Sequence, residues 1–400
     1  MSKELSLSNE HQAENLEEEI YTAIKGFQTI KSRPLKLLLD YLPPGIVTVI
    51  LVEVLITQRF FASDLMTVSG LAAACVAALL LRALFDKVPG TLMTLWDRKV
   101  IRYEQGDVGL REKYCDFIKG FEDTLNHRAS WISGLFFASL MYLSFPFRLR
   151  ARLASRGYIV NVVNWIWLVA RHGPWYDLLG IFLEILLGYV LGLFAWRMIV
   201  IAWEIRSLGQ DFDLHVQVEH PDKSGGLRPL GDLCFSNALV IMVPGFWLAA
   251  WIVVISYLDL TAYAIWPSYF KRLLVVIFFL ALVAFFQPLN SIHKAMVKKR
   301  VEIQKRLDEL SRKMDELAKS LLESADSLEP QEGQKKLDEL KFMRQIYENN
   351  SKIPVWPFDR SVFIKFVTSQ AVPLLSLTGV WPSVLRALES LLAFIQQYQR

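Results

Sequence analysis

Residues 269–287 read YFKRLLVVIFFLALVAFFQ, residues 303–328 read IQKRLDELSRKMDELAKSLLESADSL, and the change between these runs decides the fold. The first run has the composition of a membrane-spanning helix, although a span usually needs about 20 residues. The second run places apolar residues at alternating steps of four and three, interrupted once at Ser324, which predicts a helix with one apolar seam. The seam residues are Ile303, Leu307, Leu310, Met314, Leu317, Leu321 and Leu328. The chain is therefore expected to change after the sixth span from a membrane segment to a helix in water.

The sequence after the seam leaves two arrangements open. Pro330 and Gly333 end the seam, and residues 334–348 predict a second helix that folds back. The seam then forms either a hairpin within one chain or an oligomerisation stalk, because a seam of this length does not fix the number of strands. A homo-oligomer joined through residues 303–328 is the expected assembly.

The whole composition supports a membrane protein. The chain is 53% hydrophobic and 21% charged, with a mean hydropathy of +0.30. Its few polar residues do not cover that much apolar surface unless lipid covers the rest. The net charge of +4 is small, so the bilayer and further copies of the chain are the expected partners, and nucleic acid is not. Three widely spaced cysteines predict neither a disulfide framework nor a zinc site, and no cofactor is implied.

An all-α polytopic fold with about six transmembrane helices and a cytoplasmic coiled-coil or helical hairpin follows from the apolar runs. A Pro244-Gly245 pair predicts a break in the fifth span. An amphipathic helix at residues 9–31 is too charged to span, and we expect it to lie on the membrane or to pack on another cytoplasmic helix. The predicted spans are residues 42–61, 65–85, 131–147, 176–203, 233–258 and 269–287.

Four regions follow in chain order. They are an amphipathic N-terminal region at 1–41, a membrane domain at 42–290 with cytoplasmic loops 86–130 and 204–232, a cytoplasmic hairpin at 291–350, and an interfacial or re-entrant C-terminal segment at 351–400. Lysine and arginine favour the cytoplasmic side, with five in residues 1–41 and eight in residues 86–130. The N-terminus is therefore expected to be cytoplasmic. The arginine cluster at 148–156 is the exception, since it falls on the outer side.

Residues 219–232, EHPDKSGGLRPLGD, join a short polar-apolar alternation to the fifth span. Period-two alternation predicts a strand, so we expect a small strand-turn element at 211–226. The alternating residues are apolar Leu214, Val216 and Val218 and polar Asp213, His215, Gln217 and Glu219.

This loop has three possible roles. The preferred one is a hinge, because glycine pairs allow positive φ; its residues are His220, Pro221, Asp222, Gly225 and Gly226. A metal site is the second, because imidazole and carboxylate groups are zinc ligands; its residues are Asp213, His215, Glu219 and His220. An anion site is the third, because free N–H groups before a helix bind phosphate; its residues are Lys223, Ser224, Gly225, Gly226 and Arg228.

Ionisable residues also fall inside predicted spans. Glu53 lies in the first, and Glu184 and Arg197 lie in the fourth. Such groups usually face a bundle interior or a water-filled route, so they are candidates for an ion pathway, with a buried inter-helix pair as the alternative. Gly188 and Gly192 form a GxxxG pattern that predicts close helix packing on the fourth span.

Two short motifs carry a family resemblance. HPD-x-x-GGL at 220–227 and Pro-x-Trp-Pro-Phe at 354–358 resemble motifs of uncharacterised bacterial multi-pass membrane proteins. The resemblance covers the C-terminal half and implies a bacterial inner-membrane location, but no activity.

No catalytic motif of a soluble enzyme is present: the sequence has no HExxH, phosphate loop or dinucleotide fingerprint. The favoured function is an oligomeric channel-like or signal-transducing membrane protein gated from the cytoplasmic side. A secondary transporter using intramembrane carboxylates and a membrane-embedded metal-dependent enzyme are the alternatives.

Overall fold

The computed structural model is almost entirely helical, which confirms the all-α prediction. The helices are residues 17–26 (α1) and 33–41 (α2), then α3 Leu65–Asp97, α4 Asp107–Leu125, α5 Ser130–Ala154, α6 Trp175–Asp211, α7 Arg228–Tyr257, α8 Trp266–Glu323, α9 Pro330–Ser351 and α10 Arg360–Leu375. Two two-residue strands, β1 Ile101–Arg102 and β2 Asp213–Leu214, pair antiparallel. The structure describes residues 17–41, 43–45, 65–102, 107–154, 175–217, 220–257, 266–323, 330–351 and 355–378.

Within these residues, four helical segments are long and apolar enough to cross a membrane. They are Ile185–Asp211, Arg228–Tyr257, Trp266–Glu323 and Arg360–Thr378. The first three coincide with the predicted fourth, fifth and sixth spans, and all four are compatible with an integral membrane protein. The predicted first span lies almost entirely outside the described residues, and the predicted second and third spans fall on α3 and α5, which are not among these four segments. The count of six therefore stays a prediction.

The C-terminal segment runs beside α7. Its first turn lies near Gly231, where the Pro357 carbonyl and Phe358 approach the α7 backbone. Its far end, Leu377, packs on the buried face of α7 between Leu248 and Ile255. Helix α10 therefore follows α7 over most of its length. Part of the predicted interfacial or re-entrant segment at 351–400 lies outside the described residues, so that assignment stays a prediction.

The predicted break in the fifth span is wrong. Helix α7 continues from Arg228 to Tyr257 with Pro244 inside it. A proline removes one backbone donor, and neighbouring helices and small local adjustments accommodate that loss in membrane helices. Gly245 leaves the space that α8 fills, because a Cβ there would lie only 3.2 Å from Ile277 and 3.4 Å from Leu274.

The GxxxG prediction is confirmed, with α5 as the partner of α6. A Cβ on Gly192 would meet the Ser133 carbonyl, and one on Gly188 would lie 3.0 Å from the Phe137 carbonyl. These contacts run in opposite directions along the two helices, so α5 and α6 form an antiparallel pair. Small residues allow this close approach of two backbones.

A helical layer packs at one end of the spans, and we call it the basal layer. It comprises α1, α4, residues 84–97 of α3 and residues 197–211 of α6, with a shared buried core. Helix α1 packs on α4, the second of the two arrangements expected for the N-terminal helix. Ile20 and Ile24 are buried, and Glu19 pairs with Lys119 at 2.9 Å.

Helix α8 extends through 58 residues, about 87 Å at 1.5 Å per residue. Its first half packs on α7, and its second half carries the seam. Helix α9 packs back on α8, as expected for two helices joined by a short connection. Leu307 is the only buried residue of the described seam positions, and the others remain half-buried. Those other positions are Ile303, Leu310, Met314, Leu317 and Leu321.

Candidate functional site

The loop that contains the HPD sequence lies beside the last turn of α3. That helix ends with Lys99 in the left-handed region, at φ 51, and with the Val100 amide donating to the Leu95 carbonyl at 3.2 Å. This is the Schellman type of helix ending, with Arg98 as the final half-helical residue. The chain then enters β1, so the end of α3 and the loop before α7 share one small strand pair.

The predicted strand-turn element is confirmed in outline. Phe212, Leu214 and Val216 are buried, whereas Asp213 is exposed, so the burial alternates along the chain as the period-two pattern predicts. Regular pairing is limited to two residues on each strand. The Gln217 amide then donates to the Gly225 carbonyl at 3.2 Å, which closes the turn.

Asp222 forms the centre of the loop. Its Oδ1 atom accepts the backbone N–H of Ser224 at 2.9 Å and that of Gly226 at 3.0 Å. Its Oδ2 atom accepts Arg98 Nη1 at 2.8 Å, and the same nitrogen donates to the Gly226 carbonyl at 3.2 Å. His220 Nδ1 lies 2.9 Å from Oδ1. Donors from three directions therefore surround a carboxylate whose side chain is only 7% exposed.

These donors set the ionisation of Asp222. Burial by itself raises the pKa of a carboxyl group, because it disfavours the charged form. Here the backbone N–H groups of Gly226 and Ser224, together with His220, outweigh burial and hold the pKa of Asp222 below its ordinary value. The carboxylate is thus charged at neutral pH, and its ion pair with Arg98 joins the end of α3 to the start of α7.

Gly225 and Gly226 both have positive φ, at 66 and 87, as the sequence predicts. A Cβ on Gly225 would overlap Val216, and one on Gly226 would lie 2.9 Å from Val100. Glycine is therefore required by backbone conformation and by lack of space. These contacts describe a fixed turn, and the hinge stays a prediction about a second conformation.

The anion hypothesis meets a physical obstacle. The N–H groups of Ser224 and Gly226 are the donors that an external phosphate would use, and the loop's own Asp222 carboxylate already accepts both. An anion entering there would have to displace a buried carboxylate. The loop is therefore closed on itself by an internal negative charge.

The metal hypothesis involves residues that the loop separates. His220 is bound to Asp222, Asp213 is exposed on β2, and the His215 amide donates to the Val100 carbonyl at 2.6 Å. Glu219 lies outside the described residues. Among the residues that are described, no group of three or more His, Cys, Asp or Glu side chains has the arrangement of a metal site.

A second cluster joins the two motif regions, and the sequence analysis did not find it. Arg228, on the first turn of α7, lies 3.6 Å from Asp359, which caps α10 by accepting the Val362 amide. Trp356 stacks on His293 of α8 with ring centroids 4.0 Å apart, and His293 Nδ1 lies 2.6 Å from the Val355 carbonyl. Nothing in their spacing pairs these segments, since they meet only through packing.

Of the three ionisable residues predicted inside spans, only Arg197 has a side chain that the structure describes. Glu53 lies outside the described residues, and the Glu184 side chain is likewise undescribed. Arg197 is buried and donates to the carbonyls of Thr29 and Leu193 at 3.1 and 3.0 Å. These contacts indicate that Arg197 fastens the N-terminal segment to α6, and its assignment to an ion pathway stays a prediction.

Comparisons with protein-family models, with curated proteins and with solved structures found no match for this chain.

Proposed function

We propose that the chain is an oligomeric membrane protein, channel-like or signal-transducing, in which a cytoplasmic hairpin controls the membrane helices. One observation carries this proposal: α8 is a single 58-residue helix that belongs to both parts. Its apolar half packs among the spans, and its polar half forms the hairpin with α9. The helix is continuous through Pro288, so a displacement of the hairpin is transmitted along α8 to the spans without an intervening loop.

The exit of α8 from the spans supports this coupling. Ser291 Oγ donates to the Arg206 carbonyl of α6 at 2.8 Å, and His293 stacks on Trp356 just before α10. Phe285 stacks on Phe366 of α10 with ring centroids 4.1 Å apart. Movement of α8 at this level therefore acts on α6 and α10 together.

The seam supports association of copies. Helix α9 covers it only in part, and the half-buried Leu310, Met314 and Leu317 keep apolar surface available. On the other helix of the hairpin, Phe342 is 64% exposed. A second hairpin packing on this surface would complete a four-helix arrangement. We propose that residues 303–328 join copies in this way.

The proposed location is a bacterial inner membrane with a cytoplasmic N-terminus. The lysine and arginine distribution supports the orientation. The resemblance of the HPD-x-x-GGL and Pro-x-Trp-Pro-Phe motifs to bacterial multi-pass proteins supports the location. On this proposal the basal layer and the hairpin both face the cytoplasm.

Ion current through planar bilayers containing the purified protein tests the proposal. A flexible joint between the spans and the hairpin, made by Lys305→Gly with Arg306→Gly, should uncouple the two parts. Each glycine costs about 1 kcal/mol in a helix, so the open-to-closed ratio should change by up to about thirtyfold at unchanged single-channel conductance. Ala318→Gly with Lys319→Gly is the matched control, because it places the same two glycines near the far end of α8.

Other outcomes assign other functions. Saturable, coupled flux in place of voltage-driven current would indicate a secondary transporter, with Glu53, Glu184 and Arg197 as the first residues to test. Stoichiometric bound metal, lost on changing His215 and His220, would indicate a metal-dependent enzyme. The absence of any current or voltage-driven flux in wild-type protein would rule out the channel form of the proposal.

A further inference from the structure

Helices α6 and α8 cross closely and then separate, which leaves a cleft. At the crossing, a Cβ on Gly209 would lie 2.7 Å from Ser291 Oγ and 3.0 Å from the Ile292 amide nitrogen. Beyond it, α6 ends at Asp211 while α8 continues, and a cavity of about 750 Å³ opens between them. Four basic and three acidic residues line this cleft: Arg206, Lys294, Lys298, Lys299, Asp211, Asp213 and Glu302.

The basic groups are available in the cleft. Arg206, Lys294 and Lys298 form no ion pair with any residue that the structure describes. Of the acidic groups, Glu302 pairs with both Lys299 and Arg306 at 2.8 Å. The three cationic side chains without an ion pair thus come from both helices, Arg206 from α6 and Lys294 and Lys298 from α8, and all three line the cleft.

The other two carboxylates line the same cleft, so its four basic and three acidic side chains together carry a net charge of +1. The Asp211 carboxylate accepts the Ser207 hydroxyl at 2.8 Å, and Asp213 is exposed on β2. Both lie on the side of the cleft away from the spans, because Asp211 is the last residue of α6 and Asp213 follows it on β2. Arg206 lies nearer the spans on α6 and lines the cleft together with Lys294 of α8.

The exposed residues above the cleft place it at the depth of lipid headgroups. Trp203 is 61% exposed one turn nearer the spans, and the Arg206 guanidinium lies 5.8 Å from its ring centre. On α8, Val283 is 54% exposed, and polar residues begin at Gln287 and Asn290. Tryptophan favours the membrane-water boundary, so the cationic groups just beyond it lie where phosphates do.

We propose that this cleft binds a phosphate group, with Arg206, Lys294 and Lys298 supplying the charge and Gln210 and Asn290 supplying neutral donors. A guanidinium offers two parallel N–H groups to phosphate oxygens, and ammonium groups add charge without fixed geometry. The phosphate belongs to a membrane phospholipid or to a soluble phosphate compound. Both present the same chemistry to the cleft.

Native mass spectrometry of delipidated protein tests the site. In one arm the protein is titrated with phosphatidylglycerol, and in the other with inorganic phosphate in lipid-free detergent. Each basic group near a phosphate contributes about 1 kcal/mol, so Arg206→Gln with Lys294→Gln should weaken binding about thirtyfold. Loss of phosphatidylglycerol binding identifies a lipid ligand, and loss of phosphate binding identifies a soluble one.

Lys305→Gln with Lys313→Gln is the matched control, since it also removes two positive charges, from exposed positions of α8 outside the cleft. The proposal expects this control to bind as wild type in whichever arm shows binding. Equal weakening in both variants would overturn it, because binding would then follow net charge alone. Lack of binding in both arms by wild-type protein that remains folded and monodisperse would also overturn it.

Discussion

The Asp222 carboxylate receives donors from Arg98, Ser224 and Gly226, and its charge is therefore part of what holds α3 to α7. The partner Arg98 lies 124 positions earlier in the chain. The sequence shows that a turn is needed here, because a glycine pair precedes a helix. It does not show which side chain closes the turn, since that depends on where α3 ends.

Acid should weaken this loop. A carboxyl group whose pKa is lowered in the folded state contributes stability above its unfolded pKa, about 3.9, and loses it as the pH falls through the folded value. The melting temperature of wild-type protein should therefore fall below about pH 5 by more than that of Asp222→Asn. At neutral pH the substitution should cost about 1–3 kcal/mol, because a charged hydrogen-bond acceptor is lost.

Asp232→Asn provides the control for this measurement. Asp232 lies 3.6 Å from Arg228, and both side chains are well exposed, so the pair contributes at most about 1 kcal/mol. Thermal unfolding in one detergent, recorded from pH 3 to pH 8 for the three proteins, gives the comparison. Identical pH dependence of wild type and Asp222→Asn would contradict the role assigned to the carboxylate.

The sequence predicted those secondary-structure elements that depend on one local pattern. Apolar runs gave α6, α7 and α8, and the GxxxG pair indicated close packing on α6. The predicted break at Pro244-Gly245 was wrong because the prediction considered only the backbone donor that proline lacks. In the structure, α8 packs closely along the Gly245 side of the helix. The sequence does not show which helix packs on the GxxxG face of α6, because α5 and α6 fit together only through the shapes of their surfaces.

The proposed association of copies through the seam on α8 can be tested by mutation. Leu310→Asp with Leu317→Asp places two charges in the half-buried seam, so copies that meet there should separate. The mass of detergent-solubilised particles, measured by light scattering, should fall to that of a monomer of 46.0 kDa plus detergent. Arg312→Asp with Lys319→Asp, two exposed positions on the same helix, should leave the mass unchanged. An unchanged mass in the leucine variant would restrict the seam to the hairpin within one chain.

The whole molecule has a layer of apolar helices and a basal layer at one end, with α8 extending beyond. The amphipathic pattern of the N-terminal helix suggested its packing on another helix, and α1 does bury Ile20 and Ile24 against α4. The sequence did not predict the basal layer as a unit, because it predicted α3 and α6 only as membrane spans. Their polar ends belong to the basal layer, since the helices continue past the apolar runs.

Cysteine labelling tests the orientation of this arrangement. Of the native cysteines, Cys115 and Cys234 are 2% and 1% exposed, so replacing Cys75 by serine gives a low background. Single cysteines at Asp107 and Asp338 should react with an impermeant maleimide only in permeabilised cells, whereas one at Thr261 should react in intact cells. Labelling of Asp107 and Asp338 from opposite sides would contradict the shared location of the basal layer and the hairpin.

The packing of α10 has a consequence for biosynthesis. Phe285 on α8 is fully buried, and part of its cover is Phe366, which leaves the ribosome more than 80 residues later. Until then the nascent chain presents Phe285 and the Gly231 surface of α7 without their partner. Docking of α10 is therefore a late step among the described helices, and chains terminated before residue 355 leave Phe285 without the aromatic ring of Phe366 that covers it.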